Sequence, residues 1–253
     1  MSLRDTPALE ELSPVLDTSG WVVLRLDGRA FTGRAARYAR PFDPDFHAAM
    51  REATATVLAE VPACFAHTAS DEISLFLPPG TSWLGGRMAK WLSVPAGVVS
   101  AALVGAMTRF DGLPGVDTKA FATTDADGVE RYLAERLRSS NRNARQGYVY
   151  YGLRAQGLSG RAAAKIQKAM PFDEQLAMLP ADMPAWARYG ALAHYETVSR
   201  SGRDPRTGQE MAVERRVLAW NELETLEDLR PLLPILLASR PSIRAFGSRG
   251  AGS

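Results

Sequence analysis

The strongest constraint on the fold is WVVLRLD at 21–27, a nearly continuous apolar, β-branched run that ends on Asp27-Gly28. Such a run reads as a central, buried strand closed by a turn, which puts Asp27 at the strand's C-terminal end. Asp43-Pro44 then supplies a helix cap and a first-turn proline, and Phe46, Met50, Val57, Leu58 and Val61 give an apolar stripe, so a helix is predicted over 44–61. CFAHTA and EISLFL follow as two short strands with Ser70-Asp71 between them, the pattern of a tight hairpin. With Ser82 as a cap and Trp83, Arg87, Lys90 and Trp91 at helical spacing, a second helix runs on through Pro95, and DTKAFATT at 117–124 reads as a fourth strand.

The resulting order, β-α-β-β-α-β, is the split βαβ arrangement of a ferredoxin-like, palm-like α+β fold, in which both helices cover one sheet face. Beyond 124 the pattern predicts helices at 125–138, 141–156 and 159–170. Two further strands, ALAHYETVSR and MAVERRVLAW, form a hairpin around the turn-rich SGRDPRTGQE. We therefore divide the chain into an N-terminal extension at 1–20, a palm-like core at 21–124, a helical and hairpin region at 125–238 and a disordered tail at 239–253.

A chain of 253 residues that is 46% hydrophobic has enough material for a real core, which excludes a disordered tail or a mini-scaffold. The single cysteine, Cys64, and an N-terminus with no cationic or apolar signal region lead us to expect a cytoplasmic protein. The longest apolar candidate, 94–107, is too short to span a bilayer and contains Pro95, so no membrane is expected. Net charge is only +2, yet four lysines leave nearly all the positive charge to arginine, whose guanidinium suits bidentate phosphate contacts.

In the predicted topology Asp27-Gly28 and Ser70-Asp71-Glu72 meet at one edge of the sheet. Two facing carboxylates repel each other, so the site needs a proton or cations, and hard oxygen donors favour Mg²⁺ over zinc. Two such ions could polarise a phosphoryl group and activate an attacking hydroxyl. On the residues alone, a polymerase, a cyclase and a nuclease all remain open.

LRLDGRAF at 24–31, ARPFD at 39–43, SDEISLF at 70–76 and RMAKWLS at 87–93 stand in an order and spacing that resemble the tRNA-histidine guanylyltransferase superfamily, the 3′–5′ polymerases. The resemblance extends more weakly through PGVDTKAF, GVERYLAER and YVYYGLRAQGLSGRAAAKIQ, covering about residues 20–200. It implies that Asp27, Asp71 and Glu72 are catalytic, and that two Mg²⁺ ions are held by Asp27, Asp71 and the Gly28 carbonyl. Arg29, Ala30, Phe31, Arg40, Ser70, Arg87, Lys90 and Ser93 would bind nucleotide, and Arg142, Arg145 and Arg188 would bind RNA. The implied substrates are ATP, GTP and the 5′ end of tRNA or a related RNA. The implied chemistry is activation of a 5′-phosphate by a nucleoside triphosphate, followed by attack of an incoming 3′-hydroxyl. A homo-oligomer, a tetramer, is implied as well.

Two departures bear on the substrate. Where relatives that recognise tRNA-histidine carry H-I-N-N, this chain has Asn141-Arg142-Asn143-Ala144, and Thr32 replaces the histidine that often follows D-G-R-x-F. The sequence thus looks more like the guanylyltransferase-like branch, which repairs truncated tRNA 5′ ends against a template. A nucleotidyl cyclase and a non-catalytic RNA-binding relative are the competing readings. Cys64, His47, His67 and His194 show no metal-ligand spacing and read as structural, and the tyrosines at 148, 150 and 151 read as packing residues.

Overall fold

A computed structural model of the chain describes residues 14–203 and 206–241. Most of the N-terminal extension, and the tail beyond 241, lie outside the described residues. The run at 21–27 is strand β1 (Trp21–Gly28), and its residues alternate between two cores. Val22, Leu24 and Leu26 enter one, while Trp21 and Val23 enter the other. Both faces being covered is the reason the strand reads as a continuous apolar run although all its neighbours are antiparallel.

A short turn of helix, α1 (Phe31–Arg34), leads to α2 (Pro44–Glu60). The Asp43 carboxylate caps α2 by accepting from the backbone N–H groups of Asp45 and Phe46, as its sequence position predicts. Strands β2 (Phe65–Ala69) and β3 (Glu72–Leu77) form the hairpin around Ser70-Asp71. Helix α3 (Met88–Ala106) returns along the sheet to β4 (Val116–Thr123). Ser82 does not cap α3: it precedes a separate 3₁₀ turn, Trp83–Gly86, and makes no side-chain cap bond.

Pro95 lies inside α3 without ending it, so α3 is 19 residues long and apolar enough to cross a membrane by length and composition. Here one face of it lies on the sheet, with Trp91, Val99 and Leu103 wholly buried.

Beyond the core the pattern was broken too early. The helices predicted at 125–138 and 141–156 are one 30-residue helix, α4 (Ala126–Ala155), capped by Asp125 onto the Gly128 N–H. Ser139-Ser140 is no breaker, because the buried stripe of Val129, Leu133, Leu137 and Ala144 passes straight through it at helical spacing. Helices α5 (Gly160–Ala169), α6 (Phe172–Ala177) and α7 (Ala185–Tyr189) follow.

Strands β5 (Ala191–Arg203) and β6 (Glu210–Asn221) do not stand apart: β5 pairs with β2, giving one six-stranded sheet in the order β4-β1-β3-β2-β5-β6. The final helix, α8 (Leu229–Ala238), buries Leu229, Leu233 and Leu236 with α4 against the second sheet face. Helices therefore cover both faces: α2 and α3 one, α4 and α8 the other.

Candidate functional site

Three antiparallel strands present a row of acids at one end of the sheet. Asp27 lies directly opposite Glu72 on β3 and opposite Asp117 on β4. Directly opposed residues share a face, and like charges so placed are destabilising. Two residues inward, on the same face, Arg25 stands opposite Lys119 and Ser74, so an acidic row borders a basic one. Sequence reasoning did not single out Asp117; its signal lies in the β1–β4 register, which no local pattern in the sequence specifies.

The hairpin turn is fixed to the end of β1 through the main chain. The Gly28 N–H donates to the Asp71 carbonyl at 3.0 Å, which brings the Asp27 and Asp71 segments together as the sequence predicted. Ser70 closes the two-residue turn with φ of 54°, in the left-handed region such turns need. A side chain at Gly28 would put its Cβ 2.6 Å from the Phe31 ring, so the position requires glycine. Burial, with the nearby Asp27 charge added, pushes the Asp71 carboxyl above its ordinary value. Burial also raises Glu72, against the pull of two arginines: Arg136 of α4 at 2.8 Å and Arg25 at 3.7 Å. Glu72 is thus neutralised by an ion-pair network and supports the turn from behind.

Asp27, Asp71 and backbone carbonyls are an oxygen-only donor set. Among the described residues no group of three or more His, Cys, Asp or Glu side chains is placed to hold a metal. Few protein ligands of hard oxygen type fit Mg²⁺, which keeps several waters and binds through one or two carboxylates plus phosphates.

Two cavities flank the Ser70-Asp71 turn. The first is a cleft lined by the rings of Phe31, Tyr38, Phe42, Phe46, His47 and Trp186, with Arg40 and Asp71 at its edge. The His47 ring lies face to face on Trp186, with centroids 4.4 Å apart and planes 9° from parallel. Burial and the Arg51 charge push the His47 imidazole down to about 4, so it is neutral. Asp43 shapes the same wall: its carboxylate accepts from the Ala39 N–H at 2.7 Å and from Arg109 at 3.0 Å. Although burial opposes it, these bonds hold Asp43 below the ordinary carboxylate range. The second cavity, on the other side of the turn, lies beneath the middle of α4 and includes Glu72, Arg136, Ser140, Asn143 and Tyr151.

The structure sorts the expected nucleotide-binding residues. Phe31, Arg40 and Ser70 line the first cleft, where Arg40 also donates to the Thr32 carbonyl at 2.8 Å. Ala30, in the left-handed region at φ of 58°, turns the chain into α1, and Arg29 is exposed beside it with its N–H on the Gly115 carbonyl. Arg87, Lys90 and Ser93 are not brought to the cleft. β3 runs away from the turn, so α3 starts at the opposite end of the sheet, where the Met88 N–H bonds the Pro14 carbonyl. All three side chains are exposed there.

Of the expected RNA-binding residues, Arg142 is exposed, with only a 3.3 Å bond to Ser139. Arg145 is engaged by Gln175 at 3.0 Å and lies over the Phe172 ring. Arg188 is half-buried, and Gly190 has a structural task, since a Cβ there would meet the Thr68 carbonyl at 2.2 Å. Tyr38, Asp43, Phe46, His47 and Trp186 escaped notice as cleft residues because each also serves as a core, cap or packing residue.

A family model described as "Thg1: tRNAHis guanylyltransferase" matches residues 8–127, the segment that holds Asp27, Asp71 and most of the aromatic cleft. Residues 8–127, a little under half of the chain, match this family. With that segment comes the family's class of chemistry, nucleotidyl transfer. Among solved structures, a bacterial tRNA(His) guanylyltransferase (Thg1)-like protein in complex with ATP superposes with a TM-score of 0.69 at 20% identity, over 94% of this chain and 100% of that one. A bacterial Thg1-like protein in complex with GTP gives 0.66 at 20% identity, over 92% and 97%. The tRNA(His) guanylyltransferase of Saccharomyces cerevisiae gives 0.66 at 19% identity, over 74% and 92%. These likenesses establish the Thg1 fold across the chain, including the part beyond the family match. No curated protein sequence matches significantly.

Proposed function

We propose that the chain is a template-dependent 3′–5′ nucleotidyltransferase that adds nucleotides to the 5′ end of tRNA or a related RNA. The observation that carries this reading is the pair Asp27 and Asp71, whose segments are joined through the Gly28–Asp71 main-chain bond, with Asp71 lining an aromatic cleft. Asp27, Asp71 and the Gly28 carbonyl would hold two Mg²⁺ ions, which polarise phosphoryl oxygens and favour ionisation of an attacking hydroxyl. The aromatic rings of the cleft would seat a purine, and two solved structures of similar fold are described in complex with ATP and with GTP. Arg40 at the cleft edge offers a guanidinium to the triphosphate. Glu72, with Arg136 and Arg25, keeps the turn in place while charge moves across Asp71.

Base choice by pairing with the opposite strand, rather than by reading one tRNA, is supported by Asn141-Arg142-Asn143-Ala144 standing where other members have H-I-N-N. Of this segment Asn141 is spent within the fold, its amide donating to the Tyr189 hydroxyl at 3.3 Å. The test is incubation with labelled, 5′-phosphorylated, 5′-truncated tRNAs, ATP, GTP and Mg²⁺. Extension of several tRNAs by the nucleotide the template specifies is the expected result. Untemplated G added only to tRNA-histidine would overturn the templated reading, and cyclic nucleotide as sole product would overturn the transferase.

A further inference from the structure

Helix α5 carries its charge against its own stability. Arg161, Lys165 and Lys168 stand at i, i+4 and i+7, so they share one stripe about 60° wide, and the helix has no acid to balance them. Like charges at this spacing repel, and Arg161, in the first turn, also meets the positive end of the helix dipole. Two of the chain's four lysines are placed here. All three cations are exposed, and none forms a side-chain hydrogen bond or ion pair among the described residues; Asp173 and Glu174 on α6 pair with none of them. Arg154, exposed in the last turn of α4, extends the patch, because its guanidinium lies where a Cβ on Gly160 would come within 2.8 Å of it.

Resting on the nucleotidyl-transfer reading, we propose that this patch holds the phosphate backbone of the RNA's double-stranded stem, well behind the reacting end. Arg136 and Arg154 are five turns apart on α4, so they lie on the same face of that helix, and Arg154 stands about 27 Å along its axis from the contact between Arg136 and Glu72. An RNA whose end reaches Asp71 therefore meets the patch several base pairs into its stem.

The chemistry of the patch favours duplex RNA over other anions. Single strands are held by aromatic faces on which bases stack, and the cationic stripe has none. Phe172, the exposed ring on α6, is covered by the Arg145 guanidinium at 4.4 Å. Cations without stacking partners or base-edge readers suit a duplex, which is recognised by its shape and phosphates. A lipid surface would need an apolar face beside the cations. That side of α5 is spent, since Ala163 is buried with Val149 and Leu153 of α4, and Ile166 is the one large apolar side chain left at its edge.

The test is fluorescence-anisotropy titration, over a range of salt, of two 5′-phosphorylated RNA hairpins with stems of about four and about twelve base pairs. The wild-type chain should bind the longer stem about tenfold more tightly near 0.1 M salt. In the triple variant Arg161→Gln, Lys165→Gln, Lys168→Gln, whose new residues suit a helix, that advantage should vanish. Its plot of log affinity against log salt on the longer stem should become shallower by about 2 to 3, while ATP and GTP affinity stays that of the wild type. Lys165→Arg with Lys168→Arg, which keeps the charge, should retain the full salt dependence. Equal binding of both stems by the wild type, or an unaltered salt dependence in the triple variant, overturns the patch. Loss of binding to phosphatidylglycerol vesicles with RNA binding intact overturns it too, in favour of a membrane. None of these outcomes depends on turnover. A chain that extends RNA but fails this test loses only the stem contact, and one that passes it but never transfers a nucleotide loses the reading of its function.

Discussion

The two ends of the central sheet are built on opposite principles. At the far end, where β1 begins and β3 finishes, Trp21 and Leu77 are buried, and Thr18 and Gly80 close the chain with an ordinary main-chain bond. At the other end, three acids oppose one another across β4, β1 and β3, and Asp71 is held in a setting that disfavours its charge. Stability alone would not produce the second end. The contrast locates function by where the sheet forgoes favourable pairing.

The sharpest way to break this comparison is to remove the acids. Asp27→Ala and Asp71→Ala should each lower nucleotide transfer by about a thousandfold or more while circular dichroism stays that of the wild type. Near-normal turnover by either would remove the acidic end from the chemistry. Next in size is Gly28→Ala, whose new methyl group must displace the Phe31 ring. We expect a loss of about 1–3 kcal/mol in denaturant unfolding, together with weakened nucleotide binding. A small residue substituted at Gly80, which has open space around it, tests only the cost of its positive φ and should cost less.

Acid should also distinguish the ends. His67 on β2 is buried, and burial pushes its imidazole down to about 4, aided by the Arg136 charge and opposed by the bond its Nε2–H donates to the Tyr189 carbonyl at 2.8 Å. A group whose folded value is lowered favours the fold above its unfolded value and loses that contribution as pH falls. From about pH 6.5 down to about 4, His67 should therefore cost about 2–3 kcal/mol of stability, His47 adds to the slope over the same window, and His67→Gln should reduce the slope by the His67 share. A slope left unchanged by the substitution would assign the acid sensitivity to groups other than His67.

The smallest expected effect comes from the far end. Arg87→Ala and Lys90→Ala should leave ATP and GTP affinity within about twofold of the wild type, because neither side chain lies near the cleft. A clear rise in KM for nucleotide would show that a second copy of the chain brings them to it.

How legible each part was follows from where its information lies. β1, α2, the hairpin and β4 were readable because each carries its own periodicity, cap or turn residues, and Asp27 and Asp71 were readable because that order forces them together. Helix α4 was misjudged because its continuity depends on what its stripe packs against, and Ser139-Ser140 looks like a break only in isolation. Helix α8 went unseen behind Pro231 and Pro234, although its leucines fill the second core. The aromatic cleft draws Trp186 from a segment more than a hundred residues beyond Phe31, and the partner of Asp27 on β4 depends on register. Neither kind of information is local.

The bond from the Gly28 N–H to the Asp71 carbonyl has a consequence for how such a chain changes over time. Because the separation of the two acidic segments is set by backbone atoms that every residue carries, substitutions elsewhere in the sheet cannot edit it one side chain at a time. Drift is free to rewrite the surrounding surface while the spacing of the two acidic segments keeps its dimensions.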